Sequence, residues 1–120
     1  MVHIHSSFRS YERKEHCILN TDYLGVLYHL VDALNERFPE GNNPFQITTR
    51  LLEESGEIAR QVNIREGSGI KAQKHGKPDN AELAKEVLDV LRAALSVARY
   101  YGVEKELEDA ICERYDKIKH

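Results

Sequence analysis

The chain of 120 residues has no tryptophan, one methionine, three prolines and two cysteines. Cys17 and Cys112 lie far apart, and two cysteines cannot make a disulfide framework. No CxxC pair or Cys/His zinc spacing accompanies them. Both are expected to be reduced thiols, which suits a cytoplasmic protein. The N-terminus has no apolar run like a signal peptide, and no window approaches the length of a membrane span. No segment shows the strict alternation of a half-buried strand. The formal net charge of −3 is too mild to support binding to a nucleic-acid polymer or a membrane surface.

What is present suits a soluble globular protein: 31% charged and 41% apolar residues. A chain of this length is expected to form one domain and to bury roughly two-thirds of its unfolded surface. Residues 1–19 are polar and aperiodic and read as a flexible N-terminal arm. His3 and His5 alternate there, but no third ligand is spaced to join them. Residues 20–120 read as one all-helical domain.

Four helices follow from the apolar spacing. Tyr23, Leu27, Leu30, Leu34 and Phe38 recur at steps of three and four, with Leu24 and Val31 beside them. Asn20 or Thr21 is expected to cap this helix, with Asp22 in its first turn. "PEGNNP" breaks it. Asn43 then suits an N-cap, Pro44 the first helical position and Gln46 the reciprocal capping site. The second helix carries Ile47, Leu51, Glu54, Ile58 and Val62. A glycine-rich basic loop leads to Asp79 and Glu82, a second capping box. The third helix places Leu83, Val87, Val90, Ala94, Val97 and Tyr101 on a stripe widened by Leu91 and Ala98. Gly102 stops it. The fourth starts near Glu104 and carries Leu107, Ile111, Tyr115 and Ile118 on one face.

The second helix contains "LLEESGEIAR", with Glu53, Glu54 and Glu57 inside five residues. Like charges at helical spacing repel, by about 0.2–0.5 kcal/mol per exposed pair. Residues three apart lie about 60° apart around a helix axis. Glu54 and Glu57 are such a pair, and Glu86 and Asp89 in "KEVLDVL" are another. Glu54 occupies an apolar-stripe position between Leu51 and Ile58, so it must face a partner helix. Glu57 borders that stripe, Glu86 sits near the edge of the third helix's stripe, and Asp89 lies farther round. Where the two edges meet, four carboxylates converge. Burying them alone is unfavourable, because desolvation and mutual repulsion both raise their pKa values. A hard dication resolves the conflict. Neither acidic pair is followed by histidine at the spacing of ferritin-like iron sites, so the ligand set favours magnesium, with manganese as a substitute. Gly56 either leaves room beside these carboxylates or is a tolerated mid-helix glycine, costing about 1 kcal/mol relative to alanine.

Glu53-Glu54-Ser55-Gly56-Glu57, a spacer, then Glu86-Val87-Leu88-Asp89 resembles the EExxE…ExxD signature of the MazG-like all-α nucleoside triphosphate pyrophosphohydrolases. The resemblance covers about Asp22 to Gly102. It implies a four-helix MazG-like bundle completed by oligomerisation, as a homodimer or homotetramer. The apolar Leu52, Ala59, Leu91 and Leu95, outside the main stripes, point the same way. It implies hydrolysis of a nucleoside triphosphate to a monophosphate and pyrophosphate. In that scheme Glu54, Glu57, Glu86 and Asp89 match metal ligands, and Glu53 matches the residue that handles the attacking water. Phosphoribosyl-ATP pyrophosphatase shares the helical acidic motif, and a non-catalytic module binding metal or nucleotide is a further alternative. Lys71, Lys74 and Lys77, with His75, are candidates to close over phosphates; the alternative is a merely soluble, mobile loop. Its glycines do not match the Walker A pattern. Tryptophan, which many relatives place near the base, is absent, so Phe45 or Tyr28 is expected to contact the base. The last helix, "ICERYDKIKH", lacks a clear counterpart to the basic and amide residues expected of the family.

Overall fold

The computed structural model describes residues 22–67 and 77–119, and these are all-helical, with no strand among them. The expected arm over 1–19, with His3, His5 and Cys17, lies outside the described residues. Four helices run in order: α1 (Tyr23–Arg37), α2 (Pro44–Arg65), α3 (Asn80–Tyr101) and α4 (Glu104–Lys119). None is long and apolar enough to cross a membrane.

Local chemistry sets the helix ends. Asp22 itself caps α1, rather than Asn20 or Thr21: its carboxylate accepts from the Gly25 amide at 2.8 Å. Its backbone is non-helical (φ −82°, ψ 80°), so it stands before the first turn and not in it. The capping box of α2 forms in both directions. Asn43 accepts from the Gln46 amide at 2.9 Å, and Gln46 accepts from the Asn43 amide at 3.2 Å. At α3 the Asp79 half of the expected box is present, accepting from the Ala81 and Glu82 amides. Gly102 ends α3 in the left-handed region at φ 67°. Its N–H donates to Arg99 and the Val103 N–H donates to Ala98, which turns the chain directly into α4.

α2 and α3 form the principal pairing. They run antiparallel, with Arg65 donating to the Asn80 side chain at 2.8 Å where one ends and the other begins. α1 packs on the C-terminal half of α3. Tyr28 and Val31 of α1 meet Leu95 and Ala98 of α3 in the core, joined by Leu24, Leu27 and Leu107. Burial therefore changes side along α3. Its first half turns Glu86 and Asp89 toward Glu54 of α2, and its second half turns Leu95 and Ala98 toward α1. The single stripe expected for this helix is corrected accordingly. Val87, Leu91, Ala94 and Tyr101 stay exposed, because one helix serving two partners on different sides cannot bury one continuous stripe. On α1 the buried centre is Tyr28 and Val31, whereas Tyr23 and Phe38 are exposed. On α4, Glu108 is buried, but Ile111, Tyr115 and Ile118 of the expected apolar face are exposed.

Arg99 ties three helices together. It contacts both Asp32 carboxylate oxygens on α1, donates to Glu104 on α4 at 3.1 Å, and lies 5.0 Å from the centroid of the Tyr28 ring. Burial pushes the Tyr28 hydroxyl up to about 12, with Glu104 and Glu108 adding to the shift. Arg99→Ala is expected to cost about 1–2 kcal/mol in urea unfolding, more than an isolated exposed pair, because two carboxylates and a ring lose the same partner. The Arg99 hydrogen bond holds the Asp32 carboxyl below its ordinary value of 3.8. A depressed carboxylate contributes stability above its unfolded pKa and loses it as pH falls through the lower folded value. The gap between wild type and variant is expected to narrow as pH drops below that range.

Candidate metal centre

The α2–α3 seam brings Glu54, Glu86 and Asp89 together. One carboxylate oxygen from each lies within 4.8 Å of the others. Glu86 is buried, at 5% exposure, while Glu54 and Asp89 are half-buried. The antiparallel register explains the meeting. Glu86 and Asp89 are one turn apart on α3 and share the face that α2 covers. Glu54 is the α2 residue opposite them.

Asp89 has cationic neighbours on its own helix. Lys85 donates to one of its oxygens at 3.3 Å, and Arg92 lies 3.7 Å from the other. Glu54 has no ion pair among the described residues. Burial pushes its carboxyl above the ordinary value, and the Asp89 and Glu86 carboxylates push it further, against Arg92 and Lys85. The seam therefore holds negative charge that its own cations do not fully balance.

The other expected site residues are placed differently. Glu57 is outside the triad and binds Arg60, whose Nε donates at 3.0 Å. Glu53 is exposed beside Glu54. Lys77 is exposed ahead of α3, and Lys71, Lys74 and His75 lie outside the described residues. Neither expected aromatic faces the triad. Tyr28 is enclosed in the core between α1 and α3, and Phe45 projects outward at 84% exposure. Gly56 is exposed, with nothing among the described residues within 4 Å of where a side chain would start, so none of the described elements packs close against it.

Sequence reasoning missed the cations. Lys85 and Arg92 stand four before and three after Asp89, and Arg60 stands three after Glu57. Helical spacing makes such partners legible from sequence.

The uncharacterized protein YpjD of Bacillus subtilis (strain 168) is 32% identical to this chain over 91 residues, which are 75% of this chain and 74% of the relative. The chain belongs to the YpjD family. No family model and no solved structure matches it.

The donor set of this YpjD-family chain fits a hard cation. All three ligand atoms are carboxylate oxygens, the type that magnesium and calcium take. Ligand oxygens on opposite sides of magnesium stand about 4.2 Å apart, and those of calcium about 4.6–5.2 Å apart, from their usual bond lengths. Three ligands cannot all stand opposite one another, and neighbouring oxygens around magnesium lie about 3 Å apart, so the triad would close inward from its 4.8 Å limit onto a bound ion.

A carboxyl with a raised folded pKa contributes stability below its unfolded pKa and loses it as pH rises through the folded value. Glu54→Gln is thus expected to raise the melting temperature at pH 7 in chelator, with the gain fading below the ordinary value of 4.5. Magnesium is expected to stabilise the wild type and leave the variant nearly unmoved, as scanning calorimetry would register. Equal stabilisation of both would remove Glu54 from the ligand set.

Proposed function

We propose that this chain is a cytoplasmic, magnesium-dependent nucleoside triphosphate pyrophosphohydrolase of the MazG-like type, yielding a monophosphate and pyrophosphate. The observation that carries this reading is the convergence of Glu54, Glu86 and Asp89 within 4.8 Å on the seam. It sits inside the motif Glu53-Glu54-x-x-Glu57 and Glu86-x-x-Asp89 that carries the family resemblance.

Glu54, Glu86 and Asp89 would hold the cation. When bound, it supplies charge neutralisation for the polyphosphate and a bound water of lowered pKa. Glu57 would join this set if a rotamer change gave up its Arg60 pair. A pair on one helix face, even partly exposed as this one is, is worth only about 0.2–1 kcal/mol, so the change would cost little beside metal binding. Arg60, so released, would be free to meet phosphate oxygens. Glu53, exposed and adjacent in sequence, would accept the proton of the attacking water. Lys77, and Lys71 and Lys74 before it, would attract the leaving pyrophosphate.

A second reading has its own support. Asp89 is held by Lys85 and Arg92, and Glu57 by Arg60. A helical module whose cations partly balance its carboxylates would bind metal or nucleotide without turnover.

Assaying pyrophosphate release across a nucleotide panel that includes phosphoribosyl-ATP, with magnesium or manganese, separates these readings. Turnover is expected with at least one nucleotide, and Glu86→Gln is expected to lower kcat by at least 100-fold, the scale of a lost electrostatic group in a catalytic site. Full activity in that variant would end the hydrolase reading, and nucleotide binding without any turnover would favour the module.

The exposed apolar side chains suit the homodimer or homotetramer expected for this type. On α2, Phe45, Leu52 and Val62 are exposed, with Gly56 and Ala59 among them. On α4, Ile111, Tyr115 and Ile118 are exposed. Light scattering at micromolar concentration is expected to give at least twice the chain mass of 13.8 kDa. A monomer would leave these faces to another partner.

A further inference from the structure

Among the described residues, α4 packs on its neighbours through its first turns. Leu107 joins the core, and Glu104 accepts from Arg99 at 3.1 Å. Farther along, its apolar side opens into a groove of about 490 Å³, lined by Leu107, Ala110, Ile111, Arg114, Tyr115 and Ile118. Ile111 is 47% exposed and Ile118 81%. Val103 is also exposed and carries the stripe one turn back, where its carbonyl accepts from the Leu107 amide at 3.0 Å. A helix of 16 residues gains little stability in water by itself, and packing of its apolar face supplies most of it.

The charges beside this stripe are divided along the helix. Glu104 and Glu106 stand in the first turn, and Lys117 and Lys119 in the last. That order suits the dipole of α4 itself. The positions of Glu106 and Lys117 add something the dipole does not require. They are eleven residues apart, which puts them about 20° apart around the axis and about 16 Å apart along it. Both lie on the same flank of the stripe, about a quarter turn from its middle. Both are exposed, and neither makes an ion pair among the described residues.

A flank with an acid at one end and a base at the other is complementary to its own reverse. In an antiparallel pair of identical helices, each flank faces the same flank of the partner, running the other way. Glu106 then meets Lys117 of the partner subunit, and Lys117 meets the partner's Glu106. In a parallel pair this flank would face the opposite one at the same height. Glu106 would then stand near the partner's Glu104 and Glu108, a repulsive arrangement. Arg114 lies within the stripe, and its methylene stem lets it cover apolar surface while keeping its charge at the rim.

We propose that α4 pairs antiparallel with α4 of a second copy of this chain, about a two-fold axis close to Ile111. A two-fold interface presents one patch from both sides, and this patch matches itself in apolar stripe and in charge. Ile111 of each copy lies at the axis, and Leu107 lies beside Ile118 of the partner subunit. The proposal goes beyond the hydrolase reading and does not depend on it.

Sedimentation equilibrium of the full chain, without nucleotide, tests the pairing, with circular dichroism confirming that each variant stays helical. The wild type is expected to self-associate at micromolar concentration. Ile111→Asp is expected to raise the dissociation constant at least 100-fold. Glu106→Lys and Lys117→Glu are each expected to raise it at least tenfold, or about 1.4 kcal/mol, because two attractions become two repulsions. The double exchange, Glu106→Lys with Lys117→Glu, is expected to return it to within threefold of the wild type. Recovery in the double exchange supports the antiparallel register, and a double exchange as weak as the single ones overturns it. Association unchanged by Ile111→Asp and by both single exchanges overturns the α4 interface. A monomeric wild type overturns it too, and amide shifts in residues 1–19 on Ile111→Asp substitution would then assign the groove to the N-terminal segment. Pyrophosphate release is not read, so none of these results bears on the hydrolase reading.

Discussion

Glu86 takes a carboxylate into the seam between α2 and α3, and the rest of the site follows from that burial. At 5% exposure its charge cannot be solvated freely, so the residues opposite must answer it. What stands opposite is Glu54, a further carboxylate. A helix pair that brings like charges together gives up stability that an apolar seam would have kept. Such a conflict is common at functional sites, where local rules are broken for a ligand. The raised Glu54 carboxyl is the electrostatic trace of the same conflict.

Three features keep the pairing intact despite its charge. The capping box at Asn43 and Gln46 fixes where α2 begins, and the Asp79 cap fixes where α3 begins. Arg65 joins the two helices at their shared end. At the other end, Arg99 and the core around Tyr28 and Leu95 hold α3 against α1 and α4. The triad lies between these two regions, so neither one has to tolerate its repulsion directly. Lys85 and Arg92 temper that repulsion from the flanks, on the turns before and after Asp89.

α3 is the element around which the site and the core are both organised. Its first half faces α2 with charge, and its second half faces α1 with apolar side chains. Arg92 stands where the two halves meet, and it touches both the triad and the cavity beside Phe38. The triad and that cavity thus share consecutive turns of one helix pair. Rigid elements hold such spacing more closely than loops do. The exposed apolar faces of α2 and α4 remain outside this unit and are the natural places for a partner to dock.

Sequence alone determined the helices, their caps at Asn43 and Asp79, the stop at Gly102 and the two acidic pairs. These are local features, set by 3.6-residue periodicity and by side chains within four residues of the backbone groups they bond. Sequence also placed Glu54 on a buried stripe, because a charged residue interrupting an apolar pattern is visible without coordinates. It misjudged the azimuth of α3, the exposure of Val87 and Leu91, and the cap of α1. Only the tertiary structure decided that Glu86 is more deeply buried than Asp89, that Glu57 turns to Arg60, and that Phe38 rather than Phe45 or Tyr28 lines the neighbouring cavity. The physical reason is that a helix in isolation has one best apolar face. Which sides it buries depends on the angles at which its partners arrive, and α3 has two of them.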